Sequence, residues 1–118
     1  MTEEEYKNLK EGDSVWLFNI YISVQGNVGF KVAAELETVI GAAGETEFRV
    51  VKVLSSRFLK VGETVKIKDR WSLFNISSLY INKEEGLEYW NSRIQNGIDK
   101  ATSLYEKKMK KLKNSLIK

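Results

Sequence analysis

The chain predicts a mostly-β fold with a helical appendage. The expected core is a small antiparallel barrel, preceded by a short helix and followed by a long amphipathic one. Three observations carry this expectation. Five or six β-rich segments with turn signals every 8–14 residues fill about 70 residues. A helix-capping signal stands at Thr2 and another at Asn82. After Asn82 the apolar residues change to a helical spacing that continues to the end of the sequence.

The elements follow in order. Thr2-Glu3-Glu4-Glu5 has an N-cap with glutamate at the third helical position, and Tyr6 and Leu9 supply an apolar face. A short helix over 3–10 is expected, ended by Glu11-Gly12-Asp13. "SVWLFNIYISV" is rich in β-branched and aromatic residues, the composition of a strand. Gln25-Gly26-Asn27-Val28-Gly29 reads as a turn. "FKVAAELETVI" alternates imperfectly and leaves strand and helix both open for residues 30–40. Gly41-Ala42-Ala43-Gly44 is a second turn, and "TEFRVVKVL" a strand with Phe48 and Val50 on one side. "TVKIK" alternates Val65 and Ile67 with lysines, and "FNISSLYI" closes the β region. The expected division is 1–81 for the short helix and barrel, with the barrel at 12–81, and 82–118 for the basic amphipathic helix.

In that last helix the apolar residues are Leu87, Trp90, Ile94, Ile98, Ala101, Tyr105, Met109, Leu112 and Leu116. Their steps of three and four repeat every eleven residues, about 3.67 per turn, close to the natural helical period. Residues 83–117 as one helix would span about 50 Å, more than the width of a small barrel. Glu85 is placed to reach back to the cap at Asn82, and Gly97 is expected to weaken the helix and mark a bend.

Composition narrows the function classes. The 118 residues are 42% hydrophobic and 11% aromatic, which suits one folded domain. There is no cysteine, which excludes disulfides and thiolate metal sites. There is no histidine, which removes the commonest general base and metal ligand. No apolar run approaches the ~20 residues of a membrane span, and the acidic start lacks the pattern of a secretory signal. Cytoplasmic localisation is the resulting expectation. The net charge of +3 is unevenly placed. Residues 1–13 carry −3, residues 14–104 carry +1, and "YEKKMKKLKNSLIK" from Tyr105 onward carries +5.

Each candidate for chemistry has a plainer competitor. Glu35 and Glu37, and again Glu45 and Glu47, are spaced as paired carboxylates, but such pairs on a strand are more often its solvated face. Ser55-Ser56 and Ser77-Ser78 lack a histidine to activate them and suit caps and turns. Gly41 to Gly44 has the GXXG spacing by which KH domains grip nucleotides, but Ala42 and Ala43 replace the usual polar pair and a strand follows. A hairpin turn is the better reading. Trp16, Phe18, Tyr21, Phe30, Trp71, Phe74 and Tyr80 among Lys66, Lys68 and Arg70 fit either a base-stacking face or a barrel core. No catalytic residue, metal or cofactor is expected.

The barrel opens with "EGDSVWLF", closes with "DRWSLFNISSLYI" and passes directly into "NKEEGLEYWNSRI". Gly12-Asp13 and Val15 at the first strand, Phe74, Ile76, Leu79 and Tyr80 at the last, and Glu84-Glu85 with Tyr89 at the helix start carry this order. It resembles a group of small phage and prophage proteins with an SH3-like β-barrel and an acidic-capped C-terminal helix. The stretch from Phe30 to Gly44 and the basic tail depart from that group. The resemblance implies a small accessory or host-interacting protein, including an inhibitor of a host enzyme or defence complex.

The function expected is therefore non-enzymatic binding of a protein partner, host or self, through Trp90, Ile94, Ile98, Tyr105, Met109 and Leu112. A homo-oligomer formed through the helix is one form of this. The alternative is a nucleic-acid-binding module using Lys66, Lys68, Arg70 and Trp71 with Lys107, Lys108, Lys110 and Lys111.

Overall fold

The computed structural model describes residues 1–56, 59–66 and 75–116. Helix α1, Glu3–Lys7, leads into strands β1, Ser14–Ile22, β2, Val28–Ile40, and β3, Thr46–Ser55. The two-residue strand β4, Thr64–Val65, follows. A 3-10 turn, Ile76–Ser78, precedes β5, Leu79–Tyr80, and helix α2 runs over Lys83–Asn114. All pairings are antiparallel, in the order β4-β3-β2-β1-β5. Among the described residues the sheet is open, with β4 and β5 at its two edges.

The expected N-terminal helix forms through a complete capping box. Thr2 accepts from the Glu5 amide at 3.1 Å, and Glu5 accepts from the Thr2 amide at 3.0 Å. Residues 30–40, open between strand and helix in the sequence, are strand. The final β segment is shorter than its sequence suggested, because residues 76–78 form the 3-10 turn. Of "TVKIK", Thr64 and Val65 are strand and Lys66 follows them, while Ile67, Lys68 and Phe74 lie outside the described residues.

β1 explains why its sequence reads as a nearly continuous apolar run: it is buried on both faces. Val15 and Leu17 point into the main core with Val32, Ala34, Leu36, Phe48, Val50, Leu59, Val65 and Leu79. Met1, Tyr6, Leu9 and Val53 pack against that cluster, with Tyr6 and Phe48 ring centroids 6.3 Å apart. Phe18 and Ile20, on the opposite face of β1, are also buried, on the side where α2 packs.

β3 breaks strict alternation for a physical reason. Its register with β2 shifts between Glu35 and Leu36 and between Ala33 and Ala34. The residues passed over on β3, Val51 and Leu54, are exposed. Two bulges in one strand bend it and increase its twist locally.

α2 starts at Asn82, whose side chain accepts from the Glu84 amide at 2.9 Å. Glu84 and Glu85 in the first turn and Lys111 and Lys113 in the last complement the helix dipole. The helix lies along β1 and β5 and then runs on past the sheet, giving the molecule a long dimension of 75 Å against 25 and 23 Å.

Candidate interaction surface on helix α2

Small residues let α2 approach the sheet. A Cβ on Gly86 would overlap the edge of the Phe18 ring. One on Gly97 would sit 2.9 Å from Ile22 Cδ1, and one on Gly26, in the β1–β2 turn, 2.9 Å from Ala101 Cβ. Trp90 fills the space between, edge-on to Phe18 at 6.1 Å. Tyr89 stacks on Tyr80 at 6.1 Å, Phe18 meets Tyr80 at 6.2 Å, and the Lys83 ammonium lies 4.9 Å from the centre of the Trp16 ring.

The docking line is therefore Gly86, Trp90, Gly97 and Ala101. At about 100° per residue these fall within about 60° of each other around the helix. Ile94, Ile98, Tyr105, Met109, Leu112 and Leu116 also share a sector of about 60°, turned by about 80° from the first. These six residues of the apolar stripe are thus a flank of α2 and not its sheet-facing side, while Trp90 and Ala101 of the stripe lie on the docking line. Ile98 is 52% exposed, Tyr105 64%, Leu112 65% and Leu116 72%, so most of the flank is open to solvent. Ile94 and Met109 are half-buried.

This divides the six residues singled out in the sequence. Trp90 belongs to the intramolecular contact, since its ring is engaged by Phe18. Ile98, Tyr105, Met109 and Leu112 stay on the uncovered flank, and Ile94 borders both. Gly97 acts in close packing against Ile22, a role the sequence reading missed by treating it as a weak point. The available signal was the eleven-residue spacing of Gly86 and Gly97, which puts two small residues on one line.

Among the described residues, the basic candidates are not gathered into one face. Lys107, Lys108, Lys110 and Lys111 line a shallow groove on α2 with Leu104 and Asn114. Lys66 follows β4, at the sheet edge far from β5. It is engaged there by Glu47 at 3.2 Å and Glu45 at 3.6 Å. The hydrogen bond that Lys66 donates to Glu47, then the charges of Glu47 and Glu45, raise its pKa above the ordinary lysine value. Lys68, Arg70 and Trp71 lie outside the described residues.

The acidic pairs are placed as a solvated, charge-matched strand face. Glu37 pairs with Arg49, and Glu35 stands in register with Lys52. The serines act locally. Ser56 Oγ accepts from the Leu59 amide at 3.2 Å, while Ser77 and Ser78 donate to Asn75 Oδ1. Gly41 to Gly44 is a hairpin turn, in which the Gly44 amide donates to the Gly41 carbonyl at 2.9 Å and β3 follows. Gly44 has φ +77°, a conformation that glycine adopts without strain. Among the described residues, no helix is long and apolar enough to cross a membrane.

Comparison with known proteins gives no match to a family model, a curated protein or a solved structure.

Proposed function

We propose that the protein is a non-enzymatic binding protein whose working surface is the exposed apolar flank of α2. The observation that carries this reading is the separation of two sectors on one helix. One is spent on the sheet; the other presents Ile98, Tyr105 and Leu112 to solvent, with the half-buried Met109 among them. An ordered apolar strip of this kind, rimmed by lysines, is suited to another protein surface. The lysine stems extend the apolar area while their ammonium groups stay in water.

On this reading residues 12–81 serve as a scaffold that fixes the helix. We assign the scaffold to the SH3-like barrels. The last strand returns to pair with β1, and the two bulges curl β3, both of which suit a small barrel. The resemblance to small phage proteins makes a cytoplasmic host enzyme or defence complex the natural target, with inhibition as the natural outcome.

A second reading, phosphate binding by the tail, is favoured by the four lysines around one groove. The engagement of Lys66 by two carboxylates weighs against a composite site that includes the sheet.

A photo-crosslinking scan in cells tests the proposal. Probes at Ile98, Tyr105 and Leu112 should give protein adducts, and probes at Glu35 and Lys52 should give few. Adducts confined to the strand positions, or to nucleic acid, would refute it.

A further inference from the structure

The spacing of the exposed flank is its own mirror image. From Ile94 through Ile98, Tyr105, Met109 and Leu112 to Leu116, with the exposed Ala101 at the border between docking line and flank, the steps are 4, 3, 4, 4, 3, 4. We propose that a second copy of this chain covers the flank, in an antiparallel pairing with its two-fold axis at Tyr105. The inference rests on the protein-binding reading above and names the occupant.

In this register every apolar position meets another. Tyr105 faces Tyr105, Ile98 faces Leu112 and Ile94 faces Leu116. Ala101, the one small member, faces the long side chain of Met109, so a gap meets a filler. A two-fold interface requires this self-complementarity. Seven side chains from each copy would bury on the order of 1,000 Å², near the lower bound for a specific interface.

Charge selects the antiparallel order. A parallel pair would lay the lysines of 107–113 against themselves. The antiparallel pair lays them beside residues 97–103 of the second copy, which hold one acid, Asp99, and one base, Lys100. Space permits the pairing, because every described residue from Lys110 to Leu116 is exposed and α2 extends beyond the sheet.

The chain has no cysteine, so single introduced thiols report the register directly. Full-length Tyr105→Cys should form a disulfide-linked dimer under mild oxidation. An equimolar mixture of Ile98→Cys and Leu112→Cys should cross-link at least tenfold faster than either variant alone. These sites are exposed, and the mixture tests the register even if Tyr105→Cys weakens the pair. Absence of cross-links in both Tyr105→Cys and the mixture would overturn the proposal. So would separate variants that each cross-link as fast as the mixture or faster, which would mean a parallel pair. In either case, photo-adducts from Ile98 to a different protein would leave the protein-binding reading standing, and absence of those adducts would remove it as well.

Discussion

Gly86 and Gly97 show how single residues decide where α2 lies. Alanine is worth about 1 kcal/mol over glycine inside a helix, so propensity alone favours Gly86→Ala. The overlap with the Phe18 ring opposes it, and overpacking of this kind costs about 1–3 kcal/mol. We expect Gly86→Ala to lower the urea midpoint, with an unchanged or raised midpoint contradicting the packing described. Glu5 and Tyr80 each contribute to the pH response. Hydrogen bonds from Thr2 lower the pKa of Glu5 below its reference of 4.5. Its contribution is present above that value and lost as pH falls through the lower folded-state pKa. Burial, then Tyr89 and Glu85, raises Tyr80 above 10.0. The folded chain holds that proton more tightly than the unfolded chain. Stability is therefore full below about pH 10 and declines as pH climbs through the raised value. Tyr80→Phe should flatten the alkaline decline in a pH series of thermal melts, and Glu5→Gln the acidic one.

At the scale of elements, legibility in the sequence followed how local each signal was. The capping box at Thr2 and the cap at Asn82 were readable because their partners lie within three residues. The glycine turns were readable for the same reason. The strand nature of 30–40 was not. β2 mixes core residues such as Leu36 with residues such as Glu35 and Glu37, whose partners stand on β3. β3 was blurred by its bulges, which insert Val51 and Leu54 into the alternation. In α2 the period was legible, but the split between docking line and flank was not, because it depends on Phe18 and Ile22 from another element. That split yields its own prediction. Ala101 touches the turn at Gly26, and Leu104, Tyr105 and Lys108 flank a groove beside Gln25 and Asn27. Beyond Met109 every described residue is exposed. At dilutions that keep the full chain monomeric, a chain ending at Lys108 should unfold within about 0.5 kcal/mol of it, as for surface changes generally. A larger loss in chemical denaturation would mean that the tail is packed on its own body.

For the whole molecule, the long dimension of 75 Å and the uneven charge give one picture: a small sheet domain that holds out a basic, half-apolar helix. The proposed pairing and nucleic-acid binding respond to salt with opposite sign. Each copy carries +3, so salt screens repulsion between copies and leaves the apolar contact intact. Phosphate binding weakens with salt, by about one unit of logarithmic slope per contact. The most direct measurement is sedimentation equilibrium of the full chain over a concentration series, at about 50 mM and about 500 mM salt, beside Leu112→Asp. Antiparallel pairing through the flank predicts a mass rising from 13.6 kDa toward twice that value, as tightly or more tightly at the higher salt, with Leu112→Asp held at 13.6 kDa. A wild-type chain at 13.6 kDa throughout, indistinguishable from Leu112→Asp, would contradict it.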